Sequence, residues 1–114
     1  MNDLESRLFN FSIKTLKLLK KIKFSDINKV IVNQLAKSST SSGANYEEAQ
    51  AGSSRSDFVN KVNISLKEMR ESNYWLRILK SIELTPKEET EQLLKESEEL
   101  KKILGTILIK CKQP

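Results

Sequence analysis

The chain has 114 residues, enough for one domain (residues 1–114) and no more. It is 38% hydrophobic and 31% charged, with three Gly and two Pro, a balance that excludes a disordered chain and favours helix over sheet. A net charge of +5 admits a polyanion partner, and a single cysteine excludes an internal disulfide.

The first predicted helix covers about 3–23. Leu4, Leu8, Phe11, Leu18 and Ile22 form its inward stripe, widened by Phe9, Ile13, Leu16 and Leu19. Arg7, Asn10, Lys14, Lys17 and Lys21 recur at steps of three and four on another face, with Lys20 and Lys23 beside them. Residues 1–23 hold six basic and two acidic residues, and no acid lies between Arg7 and Lys23.

The second predicted helix covers about 26–51, with Ser25 as its N-cap and Asp26 in its first turn. Ile27, Val30, Ile31, Leu35, Tyr46 and Ala49 are its expected apolar positions. Its middle, from Ser38 to Gly43, is rich in hydroxyls and reads superficially as a linker. Yet Gln34, Ser38, Ser41, Asn45 and Glu48 recur at steps of four, three, four and three, which places them on one helical stripe. A linker has no reason to keep a period. The expectation is a helix with a small polar face that another helix approaches closely.

Gly52 ends that helix, and Ser53 or Ser54 caps the third, covering about 55–81. Phe58, Val62, Ser65, Met69, Ser72, Leu76 and Leu79 keep a heptad. A second stripe carries Lys61, Ile64, Glu68, Glu71, Trp75 and Ile78. Thr85, Pro86 and Glu88 predict a capping box at the start of a fourth helix, covering about 86–110. Leu93, Leu100, Leu104, Ile107 and Cys111 face inward there, broadened by Leu94, Ile103 and Leu108. Four amphipathic helices with short connections predict an all-α, antiparallel, up-down-up-down four-helix bundle.

The stretch Gln34-Leu35-x-Lys37-Ser38-x-x-Ser41-x-Gly43-Ala44-Asn45-Tyr46-x-Glu48-Ala49, followed by Asp57-Phe58-Val59-x-Lys61 and Leu66-Lys67-Glu68-x-Arg70-Glu71-x-x-Tyr74-Trp75-Leu76-Arg77, resembles the signature of a bacterial four-helix-bundle family. That family includes proteins encoded in the intervening sequences of 23S ribosomal RNA genes and the accessory variability proteins of diversity-generating retroelements. The motif match covers residues 34–80. Lys37 stands where Arg is more usual, which keeps the charge and loses the planar fork, and Ser65 stands where Ala is more usual. The resemblance implies a bundle assembling into a homopentameric barrel. In the retroelement branch it implies a basic surface that binds nucleic acid and a reverse transcriptase partner.

Enzymatic chemistry finds little support in the residues. The absence of histidine removes the Glu-x-x-His pairs of a di-iron bundle and the base a Cys111 nucleophile would need. No metal and no cofactor are expected. Glu68 and Glu71 read as charge partners of Lys67, Arg70 or the facing serine-rich helix. Tyr74 and Trp75 are core or interface aromatics before they are base-stacking groups. Ser38, Ser41 and Asn45 are expected to pack against the third helix, with hydrogen bonds to its Glu or Tyr side chains.

The expected function is therefore a non-enzymatic homo-oligomer that binds RNA or DNA phosphates. Candidate contacts are Arg7, Lys14, Lys17, Lys20, Lys21 and Lys110, the last brought near Arg7 by antiparallel packing. The alternative is a protein-interaction module with no nucleic-acid role, its acidic stretch Glu83 to Glu99 docking a partner. Tyr46, Trp75, Phe9 and a broad apolar girth argue for self-association in either case. No apolar run is long enough to span a membrane, and a cytoplasmic location is expected.

Overall fold

The computed structural model describes residues 3–52 and 54–113. Four helices, α1 (Asp3–Leu19), α2 (Asp26–Ala51), α3 (Arg55–Ser81) and α4 (Lys87–Cys111), make up the fold. Consecutive helices pack side by side and α1 closes onto α4, which places the four at the corners of a square in up-and-down order. The bundle measures 48 × 22 × 21 Å.

The caps explain most of the boundaries. Ser25 accepts from the Asn28 N–H at 3.0 Å, and Ser54 accepts from the Asp57 N–H at 3.0 Å. Ser53, the other candidate cap, lies outside the described residues. Gly52 ends α2 where a Cβ would lie 2.7 Å from the Asp57 carboxylate, so the turn into α3 admits no side chain there without a shift.

Two ends differ from the sequence reading. α1 stops at Leu19, not near residue 23. Lys21 and Ile22 donate to Leu18 and Leu19, tightening the last turn to three-residue bonds before the chain turns toward Ser25. The capping box at α4 does not form: Pro86 is the cap and no side chain bonds the free N–H groups. The Thr85 hydroxyl pairs instead with that of Thr90 at 2.6 Å, and Thr90 donates to the Pro86 carbonyl at 2.8 Å. Before that, α3 closes through Glu83 at φ 55°, with the Leu84 N–H reaching the Leu79 carbonyl.

The core holds Leu8, Phe11, Leu35, Met69, Leu76 and Leu100, among others, all essentially without solvent contact. The α3 heptad is as the sequence predicts: every member from Val62 to Leu79 is buried, and Phe58 packs against the cluster. Three apolar positions depart. Phe9 is 48% exposed, and Ile27 and Val30 are 74% and 55% exposed. Phe9 lies on the outer face of α1, and the other two on the outer flank of α2. Tyr46, in contrast, is consumed by the core at 5% exposure and is no reserve for self-association.

The hydroxyl-rich stretch is continuous helix, as its period requires. The stripe that packs, however, is shifted from the one read in sequence. Buried are Leu35, Ser38, Ser39, Ser42, Gly43, Tyr46 and Ala49, whereas Gln34 and Glu48 are exposed and Ser41 and Asn45 only half-buried. Ser42 and Ser65 exchange hydroxyl-to-carbonyl bonds at 2.8 and 2.7 Å, and the Ser38 and Ser72 hydroxyls meet at 2.8 Å. Ser12 of α1 donates to the Ser39 carbonyl at 2.7 Å, and Asn73 donates to Ser97 of α4 at 2.9 Å. Small side chains let the backbones approach, and the Ser38, Ser42, Ser65 and Ser72 hydroxyls find partners across the seam, while Ser39 donates to the Ala36 carbonyl of its own helix. The partners on α3 are serines, not the Glu or Tyr expected. Asn45 turns back on its own helix, donating to Ser41.

Candidate nucleic-acid interface

The basic residues of α1 divide into two sets once α4 is in place. Arg7 is forked onto Glu96, with Nε and Nη2 donating at 3.1 and 2.6 Å, and Nη2 also reaches Glu99 at 3.3 Å. The Glu96 hydrogen bond, reinforced by the two carboxylate charges, raises the Arg7 pKa against the opposing effect of burial. Lys21 donates to both oxygens of Glu89 at 2.7 Å. Each end of the stripe is thus neutralised by the facing helix, and Arg7 and Lys21 are seam residues here.

Lys14 and Lys17 lie between these anchors. With Asn10 and Lys21 they form one wall of a cleft of about 620 Å³, whose other wall carries Glu89, Gln92 and Glu96. Lys14, Lys17, Lys20 and Lys23 are exposed and make no ion pair among the described residues. They are the uncompensated cations of α1 and of the turn after it.

Lys110 does not join them. Arg7 meets α4 at Glu96 and Glu99, fourteen and eleven residues before Lys110, a distance of about 16–21 Å along the helix. The end of α4 lies instead at the start of α3, where Arg55 donates to the Cys111 carbonyl. The packing is antiparallel, but α1 begins too far back along α4 for Arg7 to reach that end. Lys101 pairs with Glu98 at 3.1 Å.

The opposite side of the bundle carries the remaining motif residues. Gln34, Ser41, Asn45 and Glu48 fall on one flank of α2, and Glu68, Glu71 and Trp75 on the adjoining flank of α3, by the helical period and the Ser42–Ser65 register. Ser38 alone of the α2 set enters the core. The Glu68 carboxyl is pushed above the ordinary range by burial first, then by the charge and hydrogen bond of Glu71, with Lys67 and Lys37 opposing. Trp75 packs against the core edge-on to Tyr74, ring centroids 5.2 Å apart, and its indole N–H is buried without an acceptor. Tyr74 is 48% exposed under the Arg77 guanidinium, 5.6 Å from its ring.

This arrangement of four long helices and its serine-stitched seam can be set against known proteins. The profile of the 23S rRNA-intervening sequence protein family matches residues 3–106. The chain belongs to that family. A crystal structure of a protein of unknown function from the S23 ribosomal protein family of Bacteroides thetaiotaomicron VPI-5482 superposes with a TM-score of 0.82 at 34% identity. The match covers 92% of this chain and 97% of that one, so the likeness extends well beyond the motif region. No curated protein matches. Among the described residues, no helix is long and apolar enough to cross a membrane.

Proposed function

We propose that this member of the 23S rRNA-intervening sequence protein family is a non-enzymatic homo-oligomer that binds RNA or DNA through backbone phosphates. The observation that carries the reading is the set of uncompensated lysines at this end of the bundle: Lys14 and Lys17 of α1 in the cleft wall, and exposed Lys20 and Lys23 in the turn that follows α1. It replaces the longer stripe through Arg7, Lys21 and Lys110. Lysine is a point charge that contacts phosphate without reading base edges, so binding through these four is weakly sequence-dependent. A homopentameric barrel, as the family resemblance implies, would repeat the patch around a ring and multiply its avidity.

The test is binding of a labelled RNA and a labelled DNA across a salt series, with Lys14→Gln/Lys17→Gln/Lys20→Gln beside the parent. Each phosphate contact contributes a slope of about −0.9 on DNA or −0.7 on single strands in log K against log salt. The triple variant is expected to lose two to three such contacts (roughly), while Lys110→Gln leaves the slope unchanged. No binding by the parent at low salt, or an unaltered slope in the triple variant, overturns the proposal.

A second reading is favoured by one observation: Arg7 and Lys21 close onto Glu96, Glu99 and Glu89 rather than projecting freely. On that reading the chain is an assembly module with no nucleic-acid role. A stable oligomer that ignores nucleic acid at low salt would establish it. A reverse transcriptase partner is the retroelement version of the first reading, and a reverse transcriptase gene beside this one would support it.

A further inference from the structure

The solvent side of α3 carries a stripe of its own. Between residues 63 and 80 its exposed positions are Asn63, Lys67, Arg70, Tyr74, Arg77 and Lys80, at steps of four, three, four, three and three. None is acidic. The α3 acids in this span, Glu68 and Glu71, are half-buried on the α2 flank, which they share with Lys61, and Lys67 and Lys37 oppose the charge of Glu68. On the α4 side Glu98 pairs with Lys101, and Glu91 with Lys80 and Lys87. Lys67, Arg70 and Arg77 make no ion pair among the described residues. Because α3 touches α2 and α4 but not α1, this stripe faces away from the α1 lysines, across the diagonal of the bundle.

The two aromatics of α3 divide between inside and outside. Trp75 packs against the core, whereas Tyr74 is 48% exposed. The Arg77 guanidinium lies over the Tyr74 ring, 5.6 Å from its centroid. It is held there by its Nε, which donates to Asn73 Oδ1 at 3.0 Å, and Asn73 donates in turn to Ser97 and Glu98 of α4. The Nη groups have no partner among the described residues, so they remain for an anion. A flat aromatic and a flat cation are thus held together in solvent, in line with two further free cations. Aromatic and guanidinium faces take the face of a base, and point charges beside them take phosphates.

We propose that the outer stripe of α3 is a second nucleic-acid surface, selective for single strands. An unpaired base stacks at Tyr74 and Arg77, and the adjoining phosphates meet Lys67 and Arg70. From Lys67 to Lys80 the stripe runs about 20 Å, the length of about six nucleotides at ~3.4 Å each. A duplex turns its bases inward and offers the tyrosine no face, so this stripe discriminates between strands where the α1 lysines do not. The inference rests on the nucleic-acid part of the reading above and not on the α1 lysines.

Binding of the intact chain to three labelled probes of equal length tests it: a single strand, its duplex, and an abasic single strand that keeps the phosphates and lacks the bases. The variants are Tyr74→Ala and Lys67→Gln/Arg70→Gln, all at exposed positions, with circular dichroism verifying the fold. Tyr74→Ala is expected to weaken binding of the base-bearing single strand about tenfold and to leave the duplex and the abasic strand unaltered. Lys67→Gln/Arg70→Gln is expected to lower the salt slope by about 1.4 on both single strands. A Tyr74→Ala variant that weakens all three probes alike, or none, overturns the stripe, as does an unaltered slope in the double variant. The α1 reading then stands if Lys14→Gln/Lys17→Gln/Lys20→Gln still loses slope in the same assay. A parent that binds anionic lipid vesicles but no oligonucleotide, or that binds neither, overturns both.

Discussion

The α2–α3 seam and the α1–α4 seam join the same kind of helices by opposite means. Between α2 and α3 the contact is made by Ser38, Ser42, Ser65 and Ser72, whose hydroxyls are spent on one another and on facing carbonyls. Between α1 and α4 the contact is made at arm's length, by Arg7 to Glu96 and Glu99 and by Lys21 to Glu89, with an open cleft between those anchors. Close packing is rigid and insensitive to salt, because interiors have no spare volume. Exposed ion pairs are pliant, and ions screen them. The consequence for function is a division of labour. The tight seam fixes the geometry of the bundle, and the loose one presents lysines to solvent.

The largest expected effect comes from breaking the tight seam. Ser42 has no solvent contact and bonds both the backbone and the side chain of Ser65. Ser42→Leu forces α2 and α3 apart and removes those bonds, so a loss of about 3 kcal/mol is expected by urea unfolding. Ser42→Ala removes the hydroxyl alone and is expected to cost about 1 kcal/mol. Equal losses from both would show that the hydroxyl bonds, not close approach, hold the seam.

The two seams also differed in how far the sequence disclosed them. The helical period through Ser38 to Ala49 was enough to reject a linker, because a chain segment with a buried face must repeat at the helical period. It was not enough to say which face. Serine scores as neither apolar nor charged, so the neighbouring stripes through Ser41 and Ser42 look alike until Leu35, Tyr46 and Ala49 are given priority as the burial markers. Those three point to Ser38, Ser39 and Ser42, and the signal was present. The pairing of Arg7 with Glu96 was legible only in part. The acids of α4 were visible, but matching them to α1 requires the axial offset between two helices of unequal length, 17 and 25 residues, which no local pattern encodes.

A smaller effect sharpens the comparison from the α1 side. Every serine in the α2–α3 seam has a partner, but Thr15 of α1, equally buried, has a hydroxyl that meets none. Such a group bears a desolvation cost with no return. Thr15→Val keeps the shape and removes the hydroxyl, and is expected to stabilise the chain by about 1 kcal/mol in the same unfolding assay. Destabilisation instead would mean that the hydroxyl is bonded in solution, and that the α1 side is as well satisfied as the other.

The smallest effect belongs to the loose seam itself. Arg7 and Glu96 are each about one-third exposed, at 34% and 30%, so most of the apparent strength of their fork is lost to solvent screening. Arg7→Met retains the aliphatic stem against α4 and removes the charge. The expected loss is about 0.5–1 kcal/mol at low ionic strength, shrinking toward zero near 1 M salt, where the screening length falls to about 3 Å. Ser42→Ala should show no such salt dependence, since no charge is involved. If Arg7→Met cost as much at 1 M salt as at low salt, its contribution would be packing, and the α1–α4 seam would be held much as its neighbour is. If the loss vanishes with salt, the cleft beside Lys14 and Lys17 is bounded by contacts that a polyanion can compete with. Binding there would then open the seam in the direction of Glu89 and Glu96, leaving α2 and α3 undisturbed.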